Sequence, residues 1–166
     1  SNSTNSLQKY YNAIMHFLIF TGGDINPGLA VTTVISNFDK VIAVDSGASH
    51  CSKLKIKPNF SVGDFDSIDK KVLAMLKSDK TAILKFPEEK NETDTELGIN
   101  TAIKNGATKI SILGGVAGDR IDHILANIML LNQLDSPIKF INADSLPCLG
   151  NAPKIEKITR PNGGLL

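Results

Sequence analysis

The sequence predicts an α/β fold, with a doubly wound, mostly parallel sheet of about six strands and helices on both faces. Two observations predict this fold. Short apolar runs alternate with stretches of helical periodicity along the chain, and this β-α alternation is typical of parallel sheets covered by helices. In addition, polar or glycine-rich clusters directly follow five of the apolar runs. Ligands bind at that carboxyl edge of the strands in open α/β sheets.

The predicted strands are the apolar runs, and the predicted helices lie between them. Pro27 suits the first position of the first helix, Thr93 and Glu96 form a capping box for the fourth, and Gly106 is placed to end it. The strands are expected at residues 17–20, 41–44, 60–62, 82–86, 109–113 and 138–141. The helices are expected at residues 27–38, 46–54, 68–78, 94–105 and 120–134.

Composition and length limit the classes of protein to consider. The chain has 166 residues, enough for one domain with a buried core. Its net charge of +1 gives no electrostatic footprint for nucleic acid, and no apolar run reaches the roughly 18 residues that a membrane span needs. We therefore expect neither nucleic acid nor a membrane as a partner. Cys51 and Cys148 match no zinc or redox spacing, so we expect packing roles in a reducing compartment, the cytoplasm.

The most informative segment is Gly63-Asp64-Phe65-Asp66-Ser67, which directly follows the third predicted strand. In an extended chain, Asp64 and Asp66 would point to the same side. Two carboxylates so close together repel each other unless a cation lies between them. Carboxylate oxygens suit Mg²⁺, which commonly bridges one or two carboxylates and substrate phosphates. A solvated turn is the alternative interpretation, because Gly, Asp and Ser are ordinary loop residues.

A glycine-rich loop, residues 114–118, follows the fifth predicted strand and enters a helix. Such a loop lets backbone N–H groups approach a phosphate at the helix N-terminus, although it lacks the P-loop and dinucleotide-binding patterns. At helical spacing, the polar residues that follow lie largely on one side, and the planar fork of arginine suits phosphate oxygens. A surface ion pair between Arg120 and Asp122 is the alternative. The polar residues are Asp119, Arg120, Asp122, His123 and Asn127.

Two further acids lie at predicted element ends. Asp94 opens the fourth helix and Asp45 follows the second strand. Asp94 is explained sufficiently by the helix dipole, which favours an acid in the first turn, but it also lies beside the Asp64 loop and is a candidate third metal ligand. Clustered acids, a glycine loop and an arginine together suit metal-dependent transfer of a phosphorus group from a nucleotide. These residues do not decide whether the acceptor of the phosphorus group is a sugar, a vitamin or water.

Four motifs, in this order and spacing, resemble the catalytic domain of thiamine pyrophosphokinase over roughly residues 16–145. They are Asp45-Ser46-Gly47, Gly63-Asp64-Phe65-Asp66-Ser67, Thr93-Asp94-x-Glu96 and Gly115-x-x-Gly118-x-Arg120-x-Asp122-His123-x-x-Ala126-Asn127. The resemblance implies an ATP- and Mg²⁺-dependent transfer of pyrophosphate to thiamine, giving thiamine diphosphate and AMP. It also implies a homodimer and a C-terminal β-sandwich domain, which is largely absent from this chain.

On this resemblance we assign roles to the matching residues. Asp64, Asp66 and Asp94 are expected to hold Mg²⁺. Catalytic roles are expected for Asp66, Asp94, Arg120 and Asp122, with either Asp94 or Asp122 taking the proton of the thiamine hydroxyl. The expected ATP-binding residues are Asp45, Ser46, Gly47, Thr93, Gly114, Gly115, Gly118, Arg120, His123 and Asn127.

The chain departs from the family pattern at three positions. Ser46 stands where a glycine is usual, Asn91 where an acid is common, and Asp119 within the glycine loop. Two other functions are considered: a related diphosphokinase that acts on a hydroxymethylpterin, and a nucleotide-binding regulatory domain without turnover. The presence of all three candidate metal acids argues against the latter.

We expect three parts in the chain. Residues 1–14 are expected to be a flexible arm or a non-native remnant. Residues 15–145 are expected to form the catalytic domain that binds ATP and Mg²⁺, and residues 146–166 to begin a truncated C-terminal β domain.

Overall fold

The strands form one twisted sheet whose carboxyl edge carries the predicted site residues. The computed structural model describes residues 14–66, 68–87, 92–130, 138–141 and 154–156. The strands are β1 (His16–Phe20), β2 (Lys40–Val44), β3 (Phe60–Gly63), β4 (Ala82–Lys85), β5 (Lys109–Leu113), β6 (Ile138–Ile141) and β7 (Lys154–Glu156). The sheet order is β4-β3-β2-β1-β5-β6-β7. All neighbours up to β6 are parallel, and β7 pairs antiparallel with β6.

Helices cover both faces of the sheet, which confirms the predicted fold class. The described helices are α1 (Leu29–Ile35), α2 (Gly47–Leu54), α3 (Lys70–Ser78), α4 (Asp94–Lys104) and α5 (Ile121–Leu130). The expected start of α1 at Pro27 is wrong, because Gly28 is extended, with φ 171° and ψ 173°, and the helix begins only at Leu29. The proposed extension of α5 to residue 134, the arm at 1–13, Ser67, Asn91 and Cys148 lie outside the described residues.

Two apolar clusters fill the spaces above and below the sheet. Alternate residues of β1 belong to different clusters: Phe17 and Ile19 pack with α4, whereas Leu18 and Phe20 pack with α1, α2 and α3. Such two-sided burial is what gives the strands of covered parallel sheets their continuous apolar character. Because both faces are occupied, the open edge at the strand ends remains as the place for a ligand.

Helix α4 begins with the predicted capping box. The backbone N–H of Glu96 donates to Oγ1 of Thr93 at 3.1 Å, and a Glu96 carboxylate oxygen accepts from the N–H of Thr93 at 3.4 Å. Past the other end of the helix, Gly106 has φ +89°, the left-handed conformation common after a helix. The capping box fixes the position of Asp94, the first residue of the helix, at the sheet edge.

Cys51, a residue of α2, is fully buried in the apolar cluster between this helix and the sheet, which confirms its predicted packing role. Burial raises the pKa of its thiol to about 12, so the group stays a neutral thiol at physiological pH. No described helix combines the length and apolar character needed to cross a membrane.

Two buried serines of the sheet, one in β3 and one in β5, differ in their hydrogen bonding. Ser111 lies 2.8 Å from Nε2 of His16, whose Nδ1 lies 2.9 Å from the Asn37 carbonyl oxygen. A carbonyl only accepts, so Nδ1 carries the hydrogen and Nε2 of the neutral ring accepts from Ser111. Burial lowers the pKa of His16 and favours this neutral form. Ser61 is equally buried, and its hydroxyl has no hydrogen-bond partner among the described residues.

We expect Ser61→Ala and Ser111→Ala to change stability in opposite directions. Removing the hydroxyl of Ser61 relieves an unmet desolvation cost and should raise the free energy of unfolding by about 1 kcal/mol. Removing the hydroxyl of Ser111 leaves Nε2 of His16 buried without its donor and should lower the free energy of unfolding by about 1–2 kcal/mol. Urea denaturation of the two variants measures both changes. Shifts of the same sign would contradict the prediction.

Candidate functional site

Loops from the ends of β1, β2 and β5 surround a cavity of about 280 Å³ at the carboxyl edge of the sheet. We call it the glycine-loop cavity, because Gly22, Gly23, Gly114 and Gly115 form much of its wall. The remaining predicted site residues in its wall are Asp45, Ser46, Asp94, Arg120, His123 and Asn127. The predicted meeting of these separate clusters at one edge is therefore observed.

A second cavity of about 290 Å³ adjoins the first. We call it the acidic cavity, because Asp64, Glu92 and Asp94 contribute to its wall, together with Thr93. The two cavities share four residues: Asp94 and Thr95 at the start of α4, and His123 and Asn127 of α5. A group bound in one cavity therefore lies directly beside a group bound in the other.

The two glycine loops are the loop after β1, with Gly22 and Gly23, and the loop after β5, with Gly114 and Gly115. They pack so closely that side chains would not fit between them. A Cβ on Gly23 would overlap the Gly114 carbonyl oxygen, and Gly114 itself has φ +81°. The Asp24 N–H donates to the Ala117 carbonyl oxygen at 3.3 Å, which joins the loops directly. Oγ1 of Thr21 donates to the Leu113 carbonyl oxygen at 3.0 Å below them. The backbone at this cavity can therefore approach a ligand closely.

The turn after β2 is shaped by its neighbours. Asp45 has φ +46°, and a Cβ on Gly63 would overlap its Oδ1. A Cβ on Gly47 would overlap the carbonyl oxygen of Phe20. Asp45 and Ser46 line the glycine-loop cavity, whereas the buried Gly47 lines neither cavity. Close packing against β1 thus explains a glycine at position 47.

The loop after β3 turns and does not stay extended, so the condition under which Asp64 and Asp66 would point to the same side is not met. Phe65 has φ +65°, which is outside the extended region. The Asp66 N–H then donates to Oδ1 of Asp64 at 2.9 Å. Asp64 is half-buried and lines the acidic cavity, whereas Asp66 is exposed and lines neither cavity. Within the described residues, no three His, Cys, Asp or Glu side chains are gathered as a metal site.

Arg120 is held by two neighbours at the start of α5. Its Nε and Nη2 donate to the two carboxylate oxygens of Asp122 at 3.1 and 3.0 Å, and Nη2 lies 2.8 Å from Nε2 of His123. The hydrogen bonds from Arg120 lower the pKa of Asp122 to about 2 and raise that of Arg120. Asp122 lines neither cavity, whereas Asp94 lines both. Of the two candidate bases, the geometry therefore favours Asp94.

Helix α5 also supports the glycine loop from below. Nδ2 of the buried Asn127 donates to the Gly115 carbonyl oxygen at 2.8 Å, and Asn127 lines both cavities. Gly118, with φ +116°, and Asp119 are exposed and line neither cavity. Their position suits the turn into the helix better than contact with a ligand.

The loop after β1 is one of the five clusters that the sequence places at this edge, although no individual role is predicted for its residues. Thr21, Gly22 and Gly23 nevertheless line the glycine-loop cavity. The adjacent glycines directly after the first strand were the signal for this, since a strand end needs them only where the backbone is approached closely. Thr95 was also missed, because it is hidden in the first turn of α4.

Comparisons with known proteins match the chain to one family. The family model for the thiamin pyrophosphokinase catalytic domain matches residues 31–141. Thiamine pyrophosphokinase of Bacillus subtilis (strain 168) is 34% identical over 90 residues, which cover 54% of this chain and 42% of that protein.

Solved structures give the same result. The crystal structure of thiamine pyrophosphokinase from Bacillus subtilis has 29% sequence identity and a TM-score of 0.63, covering 76% of this chain and 60% of the other. The structure of thiamin pyrophosphokinase from Geobacillus thermodenitrificans has 25% identity and a TM-score of 0.64, covering 78% and 60%. The chain thus spans between 42% and 60% of the length of these relatives.

Proposed function

The chain belongs to the family of thiamin pyrophosphokinase catalytic domains, and from that membership we propose that it transfers pyrophosphate from ATP to thiamine, giving thiamine diphosphate and AMP. One observation carries the proposal: two cavities meet along a wall that contains Asp94 and His123. One cavity is bounded by glycine loops and the other by acids. A donor and an acceptor of a phosphorus group need such adjacent sites, because catalysis of this transfer is mostly positioning and charge neutralisation.

The phosphates of ATP are assigned to the glycine-loop cavity. Its loops bring backbone close to a ligand, and it opens toward the start of α5, where a helix favours negative charge. Arg120 lies in the wall of this cavity. Its hydrogen bonds to Asp122 and His123 use Nε and Nη2, so Nη1 is the group that donates to phosphate oxygens in this proposal. In this proposal, Asp122 and His123 orient Arg120, and Asn127 holds the loop through the Gly115 carbonyl.

Mg²⁺ is the proposed metal, and the donor types in the acidic cavity suit it. Asp64 and Asp94 both line this cavity, and carboxylates with phosphate oxygens form the usual Mg²⁺ environment. We assign Asp64 and Asp94 as direct ligands. Asp66 joins them only when the turn at Phe65 changes, because its carboxylate lies outside both cavities. When bound, the ion neutralises charge on the phosphates.

In the proposed reaction, the hydroxyl oxygen of thiamine forms a bond to the β-phosphorus of ATP. The bond between that phosphorus and the oxygen bridging to the α-phosphorus breaks, and AMP leaves with this oxygen. Asp94 takes the hydroxyl proton through the carboxylate oxygen that does not hold Mg²⁺, because Asp94 lines both cavities whereas Asp122 lines neither. The proposal also includes a homodimer, as the family resemblance implies, and a cytoplasmic location, as the cysteine usage implies.

Product analysis tests the proposed function. The full-length protein, incubated with ATP, thiamine and Mg²⁺, is expected to release AMP and thiamine diphosphate in equal amounts. A simple kinase would give ADP and thiamine monophosphate, and that result would refute the proposal. A parallel reaction with a hydroxymethylpterin identifies the related diphosphokinase, and ATP binding without turnover on either acceptor identifies a regulatory domain.

A further inference from the structure

We propose that His50 is a positioning residue that braces the two glycine loops around the nucleotide. The inference rests on the proposed function, because it concerns the cavity assigned to the phosphates of ATP. His50 lies in α2 and lines neither cavity, so it acts through the loop after β1 and does not contact the ligand.

The contact is a single hydrogen bond with a defined direction. Nε2 of the half-buried His50 lies 2.8 Å from the carbonyl oxygen of Gly23. A carbonyl oxygen only accepts, so Nε2 is the donor and carries the hydrogen in both the neutral and the charged ring.

The same peptide unit is bound on its other side. The N–H of Asp24, which shares its peptide plane with the Gly23 carbonyl, donates to the Ala117 carbonyl oxygen at 3.3 Å. One rigid peptide plane thus connects α2, the loop after β1 and the loop after β5. Its orientation fixes which way the neighbouring backbone groups of Gly22 and Gly23 face in the cavity.

Helix α2 is a firm base for this bond. Gly47 packs against the Phe20 carbonyl oxygen, and Ala48 and Cys51 on either side of His50 are fully buried. The loop itself has little means of fixing its own shape, because glycine has the greatest conformational freedom of any residue. A side chain that arrives from a rigid helix reduces the ordering that ligand binding would otherwise require.

The test compares His50→Ala with His50→Gln, which keeps a side-chain N–H donor, and with Lys53→Ala, a change at an exposed residue of the same helix. Two quantities are measured on the full chain: amide hydrogen exchange of Asp24 without ligand, and the Kd for ATP with Mg²⁺ by calorimetry. His50→Ala should speed the exchange and raise the Kd, each by about three- to tenfold, the value of one hydrogen bond. In His50→Gln, the exchange rate of Asp24 and the Kd for ATP should both return most of the way to the values of the unmodified protein. Lys53→Ala should match the unmodified protein in both quantities.

Each outcome decides a separate question. Unchanged exchange of Asp24 in His50→Ala would overturn the brace. Faster exchange of Asp24 with an unchanged Kd for ATP would show that the hydrogen bond serves stability alone, and it would overturn the positioning role. The positioning role would also be overturned if His50→Gln had the same exchange rate and the same Kd as His50→Ala. If the unmodified protein does not bind ATP, the proposed function and the positioning role both fail, while the exchange data still report on the bond itself.

Discussion

Asp94→Asn is expected to lower Mg²⁺-dependent AMP release by about 10²- to 10⁴-fold, the range for loss of a positioned proton acceptor. Asp94 lines both cavities and is assigned two tasks, a metal ligand and the base for the hydroxyl proton. The asparagine keeps the size of the side chain but neither the charge nor the basicity. Steady-state rates across a series of Mg²⁺ concentrations measure the loss.

The fold should survive this change, because Thr93 and Glu96 still cap α4. Circular dichroism and thermal unfolding should therefore match those of the unmodified protein closely. Asp79→Asn is the matched control: Asp79 lies beyond α3, where it pairs with Lys57 at 3.4 Å, and it lines neither cavity. A normal rate with normal Mg²⁺ dependence in Asp94→Asn would remove Asp94 from the mechanism.

Replacing Arg120 should have the second largest effect. Arg120→Ala is expected to lower turnover by about 10²- to 10³-fold, as for loss of a donor aimed at developing charge. Arg120→Lys keeps the charge but loses the planar fork, so it should recover only part of the rate. Single-turnover measurements with ATP and thiamine separate this loss from changes in substrate binding.

Thermal stability provides the control for Arg120. The ion pair with Asp122 is largely exposed, with relative exposures of 68% and 65% for the two side chains, and exposed pairs contribute little to folding. Both variants should therefore unfold at the normal temperature. If both also retain full activity, the contact between Arg120 and Asp122 is only a surface ion pair.

The sequence predicted the fold well because local and global signals agree. The residues of β1 from Phe17 to Phe20 and those of β5 from Ile110 to Leu113 are buried on both faces of the sheet. A run without alternation of apolar and polar residues is typical of such fully covered strands. The capping box of Thr93 and Glu96 predicted the first residue of α4, Asp94, correctly. A capping box is a local arrangement that needs no tertiary contact, so the sequence alone shows it. The meeting of the site loops followed from parallel topology alone.

The details that were missed depend on backbone conformation. Phe65 adopts φ +65°, which is unusual for a bulky residue, so nothing in its identity announced that Asp64 and Asp66 would separate. Similarly, Gly28 is extended where Pro27 suggested a helix start. Gly47 belongs to the motif but serves packing against β1. A sequence motif shows which residues occur together, without showing which of them reach the ligand.

The wall shared by the two cavities has a thermodynamic consequence for any reaction that uses both. A ligand in the glycine-loop cavity and a ligand in the acidic cavity meet the same side chains of Asp94 and His123, so neither binds independently of the other. By linkage, a ligand in the glycine-loop cavity changes the affinity of the acidic cavity for its ligand by a certain factor. The ligand in the acidic cavity changes the affinity of the glycine-loop cavity by the same factor. Cooperativity between the two substrates is therefore set by the few side chains at the starts of α4 and α5.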